Sequence, residues 1–248
     1  MALMEFLGQN KLNTTSMVAV DSGTASVENL FDRNTSFQHI TIGYPGTSVT
    51  TIAISMSSAV ISHVLLRNHN LKNFSIYYDG TTTNSLFSTT TNSATATYLA
   101  FASITVSSIH VRMVEAMDSL EKHIGEILVA ERKLVFERNP TINSYAPETY
   151  RKQVVHAMPD GGTTVFNIRD KFRAKLAWEY VTVDFRDDLM ALYRTGEVLN
   201  FLTAPTATGW NGEAFEVAWL DKFDFRYSSN VQEAGFSGSI LLQQTPSA

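Results

Sequence analysis

Thr51-Ile-Ala-Ile-Ser-Met56, followed closely by Val60-Ile-Ser-His-Val-Leu-Leu66, decides the class of fold. Ile52, Ile54 and Met56 fall on one face of the first stretch, the period of two that marks a half-buried strand. The second is a short apolar run bounded by polar residues, as a strand buried on both faces would be. The same signals continue outward. Phe74-Ser-Ile-Tyr-Tyr78 stops at Asp79-Gly80, a strong turn signal. Ile109-His-Val-Arg-Met113 alternates, with Ile109, Val111 and Met113 inward and His110 and Arg112 outward, and Ile124-Gly-Glu-Ile-Leu-Val129 follows. Short strands punctuated by turns at this spacing predict a mainly β chain with an N-terminal β-sandwich.

Beyond residue 135 the pattern is mixed. Phe172, Ala174, Leu176, Trp178 and Tyr180 alternate onto one side of a strand. Phe185, Leu189, Leu192, Tyr193 and Gly196 then recur at helical spacing, which predicts one main helix near 185–201, capped by Asp184 with Asp187 and Asp188 in its first turn. Phe215 to Leu220, Lys222 to Tyr227 (with Phe223, Phe225 and Tyr227 on one face) and Ser237 to Leu242 read as closing strands.

Charge divides the chain in the same place. Residues 1–110 hold four basic and five acidic side chains, leaving 15 of the 19 basic and 19 of the 24 acidic residues to 111–248. Two domains are the expected organisation: a β-sandwich over 1–135 and a β-rich unit with the helix over 136–248. The join falls in Glu137-Arg-Asn-Pro140-Thr-Ile-Asn-Ser-Tyr-Ala-Pro147, since Pro, Asn and Ser punctuate elements. The Thr/Ser-rich stretch 81–97 is expected to be a long surface loop.

Composition excludes several functions. The chain has 248 residues, a net charge of −5 and no cysteine. Without a basic surface, nucleic-acid binding through bulk electrostatics is not expected. Without cysteine there are no disulfides, thiolate metal sites or cysteine nucleophiles. The N-terminus lacks the basic region of a signal peptide, and the weakly charged stretch Val49–Leu66 is too interrupted by Ser, Thr and His to span a membrane. A soluble, cytoplasmically made protein with no membrane partner is the expectation.

Catalytic motifs are equally sparse. His39, His63, His69, His110, His123 and His156 form no paired metal-ligand spacing. There is no G-x-S-x-G elbow, no S-x-x-K, no Walker loop and no G-x-G-x-x-G. Asp187 and Asp188, adjacent on a helix, do not face one another. Gly161-Gly162 follows Asp160 as in a hairpin turn. No enzyme activity, cofactor or metal is expected.

One constellation carries a family resemblance. Ala25-Ser-Val-Glu-Asn-Leu-Phe-Asp-Arg-Asn-Thr35 resembles the opening signature of discoidin-like (coagulation-factor C-type) jelly rolls, in which an apolar pair precedes Asp-x-Asn and a turn. The strand Val49–Met56, the segment Val60–Tyr78 and the arginine-bearing Val111-Arg112-Met113 follow the family's order over residues 15–132. Phe37 stands where the family has tryptophan, and the terminal cysteines of animal members are absent. The resemblance implies a jelly-roll β-sandwich whose loops bind ligand at one end. Phe37, Gln38, His39 and Tyr44 are then the nearest contact residues; the plain alternative has Phe37 in the core and the others on the surface. A loop Ca²⁺ is the one metal such folds can hold.

A second resemblance is looser. Glu121-Lys-His-Ile-Gly-Glu-Ile-Leu-Val129 with Phe136-Glu-Arg-Asn-Pro140, and the later Phe172–Tyr180, Phe185–Phe201, Gly212-Glu-Ala-Phe-Glu-Val-Ala-Trp219 and Gly235–Gln243 segments, resemble tail and baseplate proteins of tailed bacteriophages. This implies a non-enzymatic virion component of tail, baseplate or neck. Its partners would be other virion structural proteins and copies of itself. The alternative is a carbohydrate-binding module that reads host-surface glycan through its discoidin-like loops.

Overall fold

Strand signals dominate the chain, and in the computed structural model strands dominate the fold; it describes residues 3–21, 24–41, 48–80, 82–118, 121–141, 145–158, 163–203, 210, 212–228 and 235–245. The first elements are β1 (Glu5–Leu7), β2 (Val18–Val20), β3 (Thr24–Ala25), a 3-10 turn at Val27–Leu30, β4 (His39–Thr41), β5 (Thr50–His69), β6 (Leu71–Tyr78), β7 (Ser85–Thr89), β8 (Ala96–Ala116) and β9 (His123–Ala130). There follow β10 (Arg132–Val135), β11 (Ala146–Ala157), β12 (Thr163–Val181), helix α1 (Val183–Thr195), β13 (Leu199–Leu202), β14 (Phe215–Trp219), β15 (Asp224–Tyr227) and β16 (Phe236–Gln244).

Two antiparallel sheets result. The first runs β3-β4-β9-β5-β8-β6-β7, with β2 also on β5; the second runs β10-β1-β13-β14-β16-β12-β11, with β15 on β16. β1 and β10 lie within the segment 1–135 but pair in the second sheet, Phe6 opposite both Leu134 and Phe201. The first sheet is therefore strung between two neighbouring strands of the second.

The first sheet curls around one core because β5 and β8 are long and bent. The two strands read from sequence at Thr51–Met56 and Val60–Leu66 are one strand, β5, interrupted by register shifts between Ser55 and Ala59 and between Ile61 and His63. Ser58 at the first shift has φ 29°, the local backbone cost of turning the strand. Ile52, Ile54, Ile109 and Val111 on one side of the bend pack in the same cluster as Val64, Leu66, Ile127 and Val129 on the other.

The apolar run in β5 has a physical reason. Ile61 to Leu66 are all buried, because Val64 and Leu66 face the first core while Leu65 faces the second sheet. There Leu65 packs with Leu7, Leu128, Ala130, Leu202 and Trp210. The stretch 81–97 differs from its expected loop: Ser85–Thr89 pairs with β6, and Ala96 and Thr97 open β8. Thr and Ser there serve strands with one solvated face.

The second core gathers Phe6, Phe136, Trp178, Phe185 and Phe201 in edge and tilted contacts, and the Trp178 indole N–H donates to the Arg138 carbonyl at 3.1 Å. The helix expected over 185–201 is α1, which ends earlier. Gly196 adopts φ 64° and returns its N–H to the Tyr193 carbonyl, and a left-handed residue stops a helix; Leu199 then opens a strand. Its cap is Thr182, whose Oγ1 accepts from Phe185 N at 3.2 Å. Of the expected acids only Asp184 lies in the first turn. Tyr180 was expected inward, but the register shifts between Trp178 and Val181, and Tyr180 turns out to solvent at φ 60° while Val181 takes the core position.

β11 and β12 form a long hairpin. β12 pairs with β16 only from Arg173 onward, so Thr163–Lys171 is held by β11 alone. Val155 and Val165, opposite each other, are exposed, as are Val154 and Met158. The turn expected at Asp160-Gly-Gly162 lies outside the described residues.

Candidate ligand-binding cleft

The Asp-x-Asn element of the sequence builds one wall of a cleft between the two sheets. Asp32 Oδ1 accepts from Asn34 N at 2.8 Å, and Asn34 Oδ1 accepts from Ser36 N at 3.1 Å. These are two consecutive Asx turns, which the Asp and Asn two residues apart make possible. Arg33 between them sits at φ 64°. Leu30, fully buried, anchors the turn below, and Asn29 closes it by donating Nδ2 to the Gln38 carbonyl at 2.9 Å. The turn docks on β9 and β5: Asn68 donates Nδ2 to the Thr35 carbonyl at 2.5 Å. Gly125 lies beneath it, where a Cβ would stand 3.0 Å from both Thr35 O and Asn68 Cβ.

The cleft has a volume of about 600 Å³ and is bounded by Asn10 and Asn13 of the N-terminal segment, Glu28, Phe31, Asp32 and Arg33 of the turn, Glu126 of β9, and Asn200, Glu216 and Thr245 of the second sheet. A smaller recess of about 200 Å³ shares Arg33, Glu126, Asn200, Glu216 and Thr245 and adds Arg67.

Ion pairs hold the walls together. Arg33 Nε meets Glu216 Oε2 at 2.7 Å across the cleft, while Glu216 Oε1 accepts from Thr245 Oγ1 at 2.7 Å. Arg67 pairs with Glu126 Oε2 and donates Nε to the Gly212 carbonyl at 2.7 Å. Burial raises the Glu126 carboxyl above the usual carboxylate range, against the pull of Arg67. Burial likewise raises Asp32, with the Asn34 N–H opposing and the Glu28 charge adding to the rise.

Two buried side chains keep an acceptor for something else. Asn200 is 4% exposed and spends its Nδ2 on the Gly8 carbonyl at 2.8 Å. Glu126 is 3% exposed and engages Arg67 through Oε2. Asn200 Oδ1 and Glu126 Oε1 have no protein partner among the described residues, and both residues line the cleft. Neither oxygen is among the buried polar atoms left without a partner, so both open onto the cleft, where they can accept from a ligand's donors.

A second polar cluster lies between the sheets, with Ser62, His63 and Glu5 buried and Arg132 at its exposed end. Arg132 N–H donates to Ser62 Oγ at 2.7 Å, Ser62 Oγ meets His63 Nδ1 at 2.8 Å, His63 Nε2 meets Tyr98 OH at 3.1 Å, and Tyr98 OH donates to Glu5 Oε1 at 2.7 Å. Arg132 Nε adds a pair to Glu5 Oε2 at 3.2 Å. Burial, with Arg132 nearby, pushes His63 down to about 4, so its ring is neutral; burial raises Glu5. A neutral ring has one nitrogen that donates and one that accepts, and Nε2 also lies 3.3 Å from the donor Arg132 Nη2. The hydrogen-bonded chain joins β1 and β10 to β5 and β8, so the serine and histidine form a joint between the sheets.

The residues nominated from sequence are dispersed. Phe37 is 59% exposed and His39 is 1% exposed on β4, opposite Ile124. The plain alternative, with Phe37 in the core and His39 on the surface, is reversed for both. Gln38 is half-buried, its carbonyl held by Asn29, and Tyr44 lies outside the described residues. The cleft instead takes the five residues just before them, Phe31 to Thr35. Asn200, Glu216 and Thr245 were missed because no local pattern marks them; they arrive through pairing of the second sheet. Among the described residues no group of three or more His, Asp or Glu side chains could hold a metal, and no helix is long and apolar enough to cross a membrane.

No protein-family profile matches the chain, and no curated protein matches it. Solved structures do. A mutant form of chitosan-binding module 1 of a chitosanase/glucanase from Paenibacillus sp. IK-5 is similar over 50% of this chain and 98% of its own, at 18% identity and a TM-score of 0.43. Module 2 of the same enzyme, in complex with chitotriose, is similar over 49% of this chain and 97% of its own, at 21% identity and a TM-score of 0.40. CpGH89CBM32-5 from Clostridium perfringens, in complex with GalNAc-β-1,3-galactose, is similar over 45% of this chain and 92% of its own, at 14% identity and a TM-score of 0.36. The mainly β reading stands on the chain's own two antiparallel sheets. The resemblance to phage tail and baseplate proteins has no support in these modules.

Proposed function

We propose that the protein is a non-enzymatic carbohydrate-binding protein whose site is the cleft between the two sheets. The observation that carries this reading is a cleft of about 600 Å³ onto which two acceptors without a protein partner among the described residues, Asn200 Oδ1 and Glu126 Oε1, open. Sugars are polyols, and their hydroxyls supply donors to such acceptors and acceptors to the amide of Asn13 on the same lining. A volume in the range of about 300–1,000 Å³ suits a small organic ligand. Phe31 contributes an apolar face against which a ring can lie.

The test is a glycan array probed with the full chain, followed by calorimetry on the glycans retained. Asn13 is exposed on the cleft's lip, so Asn13→Trp obstructs the site without disturbing the core. Binding that is lost in this variant supports the cleft. Binding that survives moves the site elsewhere, and an array with no retained glycan overturns the proposal.

A second reading, a structural component of a tailed-phage virion, is favoured by the β11–β12 arm. A two-stranded hairpin is marginally stable alone in water, and this one exposes Val154, Val155, Met158 and Val165, as a part that is covered on assembly would. Mass spectrometry of purified particles tests it, and absence from the particle refutes it. The two readings are compatible in one protein.

A further inference from the structure

The β11–β12 hairpin and helix α1 stand at opposite ends of one strand and carry complementary surfaces. β12 runs 19 residues from Thr163 to Val181, roughly 60 Å at ~3.3 Å per residue. The hairpin lies at its start and α1 follows its end. The hairpin exposes apolar side chains on both faces: Val155 and Val165 sit opposite each other, and Val154, the neighbour of Val155 along β11, turns the other way. The hairpin is also basic. Residues 146–175 hold six of the 19 basic side chains (Arg151, Lys152, Arg169, Lys171, Arg173 and Lys175) against three of the 24 acidic ones, which leaves 13 basic and 21 acidic in the rest of the chain.

At the far end, Tyr180 and Val183 are exposed beside the start of α1. Asp187 is paired with Arg186, but Asp184 and Asp188, one helical turn apart and exposed, have no cationic partner among the described residues. An apolar, basic end and an apolar, acidic end fit each other, yet the length of β12 keeps them apart within one chain. From this arrangement we infer that copies of the chain associate head to tail, the β11–β12 hairpin of one seated on the α1 end of the next. Such a contact is heterologous and repeats into a ring or a filament. The symmetric alternative, hairpin against hairpin, would set two basic surfaces together. The inference rests on the second reading for the covering of the arm and supplies the partner; it is independent of the carbohydrate-binding cleft.

The experiment is sedimentation velocity of the full chain over a concentration series, at about 0.05 M and about 0.5 M salt. The wild-type chain is expected to associate, and to do so more weakly at the higher salt. Two double variants each block one end at exposed positions: Val155→Glu with Val165→Thr on the hairpin, and Val183→Ser with Asp188→Asn on α1. Each variant alone should associate at least about tenfold more weakly. Mixed in equal amounts, the two should form a dimer and grow no further, because one keeps its α1 end and the other its hairpin. A zero-length carbodiimide cross-link checks the contact without any substitution. Within one chain roughly 30 Å of strand, at ~3.3 Å per residue, separates Lys171 from α1. A link from Lys171 to Asp184 or Asp188 is therefore expected in the associated species and not in the monomer.

A wild-type chain that stays monomeric throughout the series overturns the inference. If that monomer is nevertheless found in purified particles, the virion reading stands with another protein over the arm. Association that both variants retain, or an associated species without the cross-link, overturns the inference in favour of a different contact. A mixture of the two variants that stays monomeric overturns the head-to-tail arrangement. Association as described, with the protein absent from particles, supports the inference and refutes the virion reading.

Discussion

Replacing Gly125 with alanine tests whether the cleft wall depends on the fit of one turn against one strand. The added Cβ would stand 3.0 Å from the Thr35 carbonyl oxygen, 3.0 Å from Asn68 Cβ and 3.2 Å from the Arg67 carbonyl oxygen. None of these is the free end of a flexible side chain, so either β9 or the Asp32–Thr35 turn must give way by a few tenths of an ångström. Inserting one carbon into such a fit costs about 1–3 kcal/mol. Moving Thr35 also stretches the Asn68 bond to its carbonyl, which is worth about 1 kcal/mol. Opposing both, alanine restricts the unfolded chain and returns about 0.4–1 kcal/mol. The balance is a loss of about 1–3 kcal/mol, which in a chain of this length lowers Tm by about 3–10 °C. Differential scanning calorimetry measures it, and glycan affinity should fall with it because Asp32 and Arg33 move. An unchanged or raised Tm would refute the reasoning, since it would mean the turn is not seated on Gly125.

Tyr98→Phe removes the hydroxyl that donates to Glu5 and meets His63; denaturant titration should show a loss of about 1–3 kcal/mol, the cost of a buried partner left unpaired. His63 and His69 are both pushed down to about 4 by burial, with Arg132 adding at the first and His123 at the second. In the unfolded chain each titrates near 6.5, so the unfolded state takes up protons first. Stability therefore falls as pH drops from about 6.5 through about 4, by roughly 3 kcal/mol per ring, while the raised Glu5 and Glu126 act in the opposite sense. Imidazole NMR at pH 5.5 should find both rings neutral, and a charged ring at either position would contradict the burial argument. Hydrogen exchange should find the amides of Thr163–Lys171, paired only with β11, exchanging much faster than those of Arg173–Lys175 between β11 and β16; equal protection would mean the arm is held by more than its own hairpin.

Much of the first sheet was legible because local pattern and tertiary burial agree there. Ile109, Val111 and Met113 alternate into the core as read, and Phe74–Tyr78 and Ile124–Val129 lie within β6 and β9. Asp32 and Asn34 were legible as a turn because each caps the backbone two residues on. Other features depend on partners distant in sequence. Nothing in Glu5-Phe-Leu7 announces that it will lie between β10 and β13, more than a hundred residues downstream. The register slips at Ser55–Ala59 and Trp178–Val181 are set by strand bending, so they shift Tyr180 out of an alternation that is regular on paper. The proposed cleft takes Phe31 to Thr35, ahead of the candidate contact residues Phe37, Gln38, His39 and Tyr44. The sequence marked the loop, but which part of it faces a cavity depends on the second sheet.

That dependence gives the cleft its character. One wall is the double Asx turn on the first sheet and the other is Asn200, Glu216 and Thr245 on the second, so neither sheet holds the site alone. What keeps the walls in register is not the cleft itself but the buried joint behind it. β1 and β10 anchor the first sheet's two ends side by side in the second. Leu7, Leu65, Leu128 and Trp210 pack between the sheets, and the chain from Arg132 through Ser62, His63 and Tyr98 to Glu5 fixes their relative position with directional bonds. Apolar packing tolerates small slides, whereas a chain of directional hydrogen bonds does not. The buried polar joint is thus better understood as the element that sets the width of the cleft than as a source of stability. A ligand gripped by acceptors on opposite walls needs that width held to a fraction of an ångström.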